Sequence, residues 1–597
     1  MLKIRGEFFL IFLLVYPLYS FAEEDNTVFE RIIVIKNKEA VISPSSLGGG
    51  SLTSLPFNSP VEALSITLLN LQARSPNNSI QSDFSLRGSN FQGVRVLFNG
   101  KRINDPQTGH YNADIPVTKE DILNIDILSG VSPLGLGPDA IGGSVNFVTK
   151  KPEEKKIVLE LSGGEHNSSG QLFSVSGKIK DLGARFSVEN RESRGFKEDT
   201  DFKKFTASMA SSLDIPVGSF DLDFGYQEKE FGAYDFYTPG LGYPSREWTK
   251  TYLLNSGLKL DKGDIVIKPN FLWRRHFDKF MLDKTQIRSN YLAHHRTDIY
   301  TPSVYVNKES TLLGKIGLGL EYSEEKINST ILGKHSRAQK SIFIDDDYKF
   351  NDFVSFNSVF RIDDYDGIDI FYTGAARLSF EAREGNLMHL GVSKAMRTPS
   401  FTELYYDDPK TIGNSGLSPE KSLTYEAGHF YKCGGFSLSS VIFLRDENNF
   451  IDWVKSSSAQ EKWEAKNIAS SKVFGIEENL QYAFNAWVNL RANYAYTNRR
   501  KNDDGYIYKY GENYARHLTS LISIFKLGFG TQEIGLTYKK SPSRSGWLLF
   551  HAKFNYNFNK HSKFFISATN IFNVEYQEIA GIPSPGRWVE GGLRVEW

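Results

Sequence analysis

The sequence predicts an all-β transmembrane barrel of about 22 antiparallel strands whose lumen is filled by an N-terminal α+β plug domain. Three observations predict it: an export signal with no helical span after it, strict polar/apolar alternation along the C-terminal part, and a regular succession of short turns and longer polar stretches.

The chain starts with Lys3 and Arg5, an apolar run from Phe8 to Tyr19, then Ser20, Phe21 and Ala22 before the acidic Glu23, Glu24 and Asp25. That is the pattern of a secretory signal peptide over residues 1–22. The run is too short to span a bilayer as a helix, and no other stretch reaches the roughly 20 apolar residues required. The chain beyond it is too long for one ordinary domain. Cys433 is the single cysteine, so no intrachain disulfide can form. Lysine plus arginine balances aspartate plus glutamate at 70 each, so no overall field draws nucleic acid. Aromatics at 14% and 50 glycines suit strands and interfacial aromatic girdles, although composition alone also fits a secreted β-solenoid.

Alternation suits a barrel but also a soluble sandwich, and the spacing of turns is the stronger signal. In Arg587–Trp597, Val589, Gly591, Leu593, Val595 and Trp597 share one face, while Trp588, Glu590, Arg594 and Glu596 share the other. Lipid outside and a polar lumen inside demand this pattern. It recurs over Lys315–Tyr322 and Val488–Thr497. Short turns are expected near Asp181 and Gly183, Pro216–Gly218, Lys262 and Gly263, Lys308 and Glu309, Asn351 and Asp352, Gly385 and Asn386, Gly434 and Gly435, Asn485, Gly528–Gly530, and Asn559 and Lys560. Polar loops are expected over Arg191–Lys203, Glu228–Lys250, Arg274–Thr297, Met396–Glu420 and Asp446–Asn467. Ten turns on one side and eleven loops on the other require 22 strands, and Lys156–Trp597 allows about 20 residues for each strand and its connection.

The expected organisation is a leader over 23–40, a plug domain over 41–151 and a barrel over 156–597. Within the plug, FSLRGSN (Phe84–Asn90) precedes VRVLFNGKRIND (Val94–Asp105), where Asn99-Gly100 signals a type I′ hairpin. TKEDILNIDILSG (Thr118–Gly130) offers Thr118 and Asp121 as a capping box for a short helix, and GPDAIGGSVNFVTKK (Gly137–Lys151) closes the region. In this order and spacing the runs resemble the plug of TonB-dependent receptors. RTPSFTELYY (Arg397–Tyr406), GLSPEKSLTYEAG (Gly416–Gly428), FGIEENL (Phe474–Leu480) and TNIFNVEY (Thr569–Tyr576) extend the resemblance over the barrel. Ser129 departs from it, standing where the family usually has an arginine that contacts the wall.

The resemblance implies a Ton box at Glu30, Arg31, Ile32, Ile33, Val34 and Ile35, which would pair as an added strand with the periplasmic TonB energy-coupling protein. The other reading of this β-prone run is a first plug strand. The short leader leaves no room for a signalling domain. The resemblance further implies an outer-membrane location, contact with outer-membrane lipid and a small-molecule ligand: cobalamin or a related corrinoid, with a ferric siderophore as the alternative. Haem is disfavoured, because no histidine lies between Arg397 and Glu420.

Ligand contacts are expected from Ser89, Asn90, Asp105, Gln107, His110, Tyr111 and Tyr237. The alternative for the run Asn104–Asn112 is a solvated turn. Asp199, Asp201 and Asp235 offer hard oxygens for calcium, which orders outer loops in the cobalamin receptor branch, or they are ordinary acidic loop residues. No cofactor is required. His294 and His295 point to opposite faces of any strand and cannot chelate together. No nucleophile elbow or CxxC pair suggests an enzyme. A passive porin or adhesin is the rival class, disfavoured because a passive pore would not keep a plug in its lumen.

Overall fold

The computed structural model describes residues 45–74, 80–131, 137–286, 292–310, 314–501 and 505–597. The signal peptide and Glu30–Ile35 lie outside the described residues. Among those described, 22 antiparallel staves run from Lys156–Gly164 to Trp588–Glu596, with the two-residue strands Thr411–Ile412 and Ile507–Tyr508 attached to the same sheet. The last stave pairs with the first, Leu593 opposite Leu161 and Val595 opposite Leu159, so the sheet closes. Closure pairs every strand on both sides, as a lipid environment demands of a β structure.

Nine of the ten expected turns join staves at or next to the expected residues. The remaining one is displaced: the stave Leu292–Ser310 passes through Lys308 and Glu309, and the next begins at Gly314. The expected polar loops are shorter than their polar sequence suggests, because strand pairing continues into them. Arg246–Lys262, Ile265–Met281 and Trp463–Ala483 hold 17, 17 and 21 residues, well beyond the roughly 10 that cross a bilayer. Polar side chains on either face cost nothing outside the membrane, so hydrogen bonding alone sustains the ladder there.

Side chains alternate as the sequence requires. Leu318 and Leu320 are 45% and 49% exposed on the outer face, whereas Ser323 and Glu325 on the same stave are buried toward the lumen. The plug fills that lumen with a five-stranded sheet in the order Ser45–Gly48, Ile122–Ser129, Gly143–Thr149, Val94–Phe98, Lys101–Arg102. Asn99 and Gly100 have φ of 48° and 80°, the positive pair that a type I′ turn needs. One local expectation fails. Thr118–Asp121 opens no helix; it forms a turn into the strand Ile122–Ser129, whose β-branched residues pack into the plug core. The Asp121 carboxylate still accepts from the Thr118 amide and hydroxyl, at 2.7 and 2.9 Å, but its other acceptor sites serve the barrel wall.

Replacing Leu320 with arginine should destabilise the barrel refolded into lipid vesicles by about 2–4 kcal/mol. A urea titration of folded against unfolded protein measures this, and a neutral result would remove Leu320 from the lipid face.

Candidate functional site

The plug is fastened to the wall by buried ion pairs. Arg87 donates to Glu426 at 2.9 Å and to Glu477 at 2.6 Å, with its guanidinium 4.3 Å above the Phe443 ring. Ser129, standing where an arginine was expected, still reaches Glu477 through its hydroxyl at 3.4 Å. At its neighbour Gly130, whose φ is 65°, a Cβ would push the Glu426 carboxylate away from Arg87. Residues 119–121 each meet the wall: Lys119 pairs with Glu160 (2.7 Å), Glu120 with Arg594 (2.7 Å) and Asp121 with Arg185 (2.8 Å). Arg102–Glu325, Asp114–Lys229 and Asp105–Arg274 complete the set, at 2.6, 2.5 and 2.6 Å.

The run Asn104–Asn112 is not a solvated turn. It lies buried against wall and loops at the loop-facing end of the plug. Thr108 caps the short turn Gly109–Tyr111, which aims His110 and Tyr111 in different directions. His110 stacks on Phe91 at 4.1 Å, and its Nδ1 lies 2.7 Å from Asp83 Oδ1 and 3.1 Å from Arg74 Nη1. Burial pushes the His110 imidazole below its ordinary pKa, against the attraction of Asp83. Burial opposes ionisation of Asp83, yet Arg74 and His110 together hold its carboxyl below the usual range.

Tyr111 donates to Glu247 at 3.0 Å, and Tyr237, from the loop after Gly232, donates to the same carboxylate at 3.1 Å. Gln107 donates to Asp278 at 3.4 Å. Asp105 is held by Arg274, while Ser89 and Asn90 sit apart in the turn after Arg87, with Asn90 reaching the Ile451 carbonyl at 3.5 Å. The structure thus gathers Gln107, His110, Tyr111 and Tyr237 and leaves Ser89, Asn90 and Asp105 in structural bonds.

Sequence reasoning missed three wall residues of this floor, Glu247, Asp278 and His276, and read His295 only as unable to chelate with His294. His295 is buried 3.8 Å from Asp278 while His294 is exposed, as strand alternation requires. Inward positions on adjacent staves carry no local motif, so only the register reveals the group. The loop after Arg397 was also missed as a cover. Its short helix Phe401–Tyr405 is opened by a capping box from Ser400 and Glu403, and the Phe401 and Thr402 amides donate to the Pro106 and Gln107 carbonyls at 2.9 and 3.1 Å.

The three carboxylates of the calcium expectation each have another partner in this structure. Asp199 pairs with Lys284, Asp201 with Arg246 at 3.0 Å, and Asp235 accepts the Gly242 and Tyr243 amides at 2.7 and 3.0 Å. Among the described residues no three metal-ligating side chains group together, and a cation would have to displace these partners.

The barrel matches the family model for TonB dependent receptor-like β-barrels over residues 181–571, and residues 36–144 match that for the TonB-dependent receptor plug domain. The chain belongs to the TonB-dependent receptor family. Members of this family are outer-membrane barrels, and both family and fold are those of receptors and transporters, not enzymes. The vitamin B12 transporter BtuB of Vibrio vulnificus (strain CMCP6) is 21% identical over 432 residues, covering 67% of this chain and 66% of that protein, just under two thirds of its length. Among solved structures, the siderophore receptor PirA of Pseudomonas aeruginosa superposes with a TM-score of 0.72 at 15% identity, covering 93% of this chain and 99% of that one. The siderophore receptor PiuA of Acinetobacter baumannii gives 0.75 at 14%, covering 92% and 96%. These likenesses establish the fold.

Two outcomes test the site. Arg87→Met leaves two buried carboxylates without their cation and should loosen the plug by about 3–5 kcal/mol, read as a lower plug transition in calorimetry. Because the folded His110 pKa lies below the unfolded one, its contribution is intact above the ordinary histidine pKa of about 6.5 and is lost as pH falls below it. The melting temperature should therefore drop between pH 7 and 5.5, and His110→Gln should flatten that drop.

Proposed function

We propose that this receptor imports a corrinoid such as cobalamin across the outer membrane. In this reading the signal peptide over 1–22 is removed, and Glu30, Arg31, Ile32, Ile33, Val34 and Ile35 add a strand to the TonB protein, which pulls on the plug once ligand has bound. Ligand can favour release of that segment only by binding the released state better.

One observation carries the ligand reading: the chemistry of the floor beneath the outer loops. Glu247 is met by two tyrosine hydroxyls, and Asp278 by Gln107 and a distant His295. Asp278 Oδ1 and Gln107 Oε1 are buried acceptors with no hydrogen-bond partner. Such an acceptor-lined floor suits a ligand rimmed with N–H donors, as the amides of a corrinoid are. The BtuB relative points the same way. A ferric siderophore is the alternative ligand, since the receptors PirA and PiuA share the scaffold and ligand choice resides in the site.

Deleting residues 30–35 should abolish energised uptake and leave surface binding intact; uptake that persists removes the coupling segment from this position. In a binding panel, cyanocobalamin should bind at least about tenfold tighter than any ferric siderophore, a gap of roughly 1.4 kcal/mol. The reverse order would overturn the ligand while leaving coupled import standing.

A further inference from the structure

The ion pairs that fasten the plug are distributed unevenly around the wall. Among the described residues, they land on the staves that carry Glu160, Arg185, Lys229, Arg274, Glu325, Glu426, Glu477 and Arg594. Staves such as those of Lys229 and Arg274 also donate to plug carbonyls, Ile80 and Tyr111, but among the described residues the neighbouring staves Val488–Lys501, His517–Leu527, Gly530–Lys540 and Trp547–Asn557 add no ion pair to the plug. Their inward side chains donate to plug backbone carbonyls: Lys539 to Leu71 (2.8 Å), Asn493 and Ser520 to Ile66 (2.9 and 2.8 Å), Arg491 to Ser46 (2.7 Å), and Lys553 to Thr53 and Leu55 (2.8 and 3.2 Å).

Strand register turns these donors into a ladder. Lys539 lies opposite Leu518, Asn493 opposite Ser520, Arg491 opposite Ile522, and Lys553 opposite Glu533, which itself faces Ile524. The rungs therefore fall at every second residue along His517–Leu527, about 7 Å apart over roughly 20 Å. They run from the loop-facing end toward the short-turn end. At the top rung a small cleft opens between Leu69 and Leu71 of the plug and Lys539, Trp547 and Tyr576 of wall and loop. Buried hydroxyls at Ser65 and Thr537 and the His551 Nδ1 line it without a partner.

We propose that this seam, between plug residues 46–71 and the staves from Val488 to Asn557, is the route by which ligand passes the plug. Withdrawing the plug from an ion-paired stave strands two opposite charges. Withdrawing it here strands no buried charge pair: it opens apolar contacts at Leu518, Ile522 and Ile524 and frees wall donors and plug carbonyls, and any carbonyl or carboxylate oxygen can satisfy the donors and water the carbonyls. The ligand class is therefore one with an acceptor-rich rim, amide carbonyls above all, which takes over the plug carbonyls rung by rung. The inference rests on the reading of this chain as an importer, but its test needs neither ligand nor coupling protein.

Urea is itself a small amide carbonyl compound and solvates peptide groups, so it competes directly for the rungs. In a Cys433→Ser background of the full chain, Ile66→Cys and Ser520→Cys are joined by a cleavable bismaleimide, and conductance in a planar bilayer is followed as urea is raised. This bridge should cut the urea-opened conductance about tenfold, with recovery when the linker is cleaved. A second bridge, Thr53→Cys to Lys553→Cys, should act alike. A bridge on another side, Asn99→Cys to Asp223→Cys, where the native side chains lie 2.9 Å apart, should leave the opening unchanged. The unbridged form of each variant, closed without urea, reports that it has folded. Unchanged opening with the 66–520 bridge, or equal loss with the 99–223 bridge, would overturn the route. Failure of cyanocobalamin to bind would overturn only the function proposed above.

Discussion

No backbone group of a strand may be left unpaired in lipid, and the rest of the molecule depends on that constraint. Closing the sheet of Lys156–Gly164 onto Trp588–Glu596 with 22 staves leaves a lumen too wide for side chains to fill. A folded domain must occupy it, and the surface shared by domain and wall is largely polar, with apolar patches where Leu253, Leu272, Ile522 and Ile524 join the plug core. The many fully buried arginines, among them Arg274, Arg397, Arg445 and Arg594, are the outcome. Each is tolerable only with its carboxylate or carbonyl in place, which makes plug position the best determined feature of the interior.

The interface has two chemistries. Where charge meets charge, separation is costly for both partners and position is fixed. Where a wall cation meets a backbone carbonyl, water or a ligand oxygen can substitute, and position is negotiable. Among the described residues, ion pairs are confined to part of the wall, whereas bonds to plug carbonyls occur both there and beyond it.

Much of this could be read from the chain, for identifiable reasons. Turns at Gly263, Gly385 and Gly434 were visible because positive φ there selects glycine, and alternation at Leu318 and Leu320 because lipid tolerates nothing else on that face. Strand length was not visible. Outside the bilayer a polar residue suits strand and loop equally, so the ends of Arg246–Lys262 and Trp463–Ala483 left no mark. The Thr118–Asp121 pattern misled because the same carboxylate that caps a helix serves as well in a turn facing Arg185. His110 and Tyr111 were singled out by their local chemistry, but Glu247, Asp278 and Lys539 were not, since their partners lie more than a hundred residues away or on backbone atoms that carry no sequence signature.

The loop between Arg397 and Glu420 is held in shape from within: Arg397 grips Glu403 and Glu420 at 2.8 and 2.6 Å, and Ser400 and Glu403 cap each other's amides. A cover that is already folded loses little conformational entropy when it closes on a guest. Capture can then be quick and tight with few contacts, the ordering having been done when the chain folded.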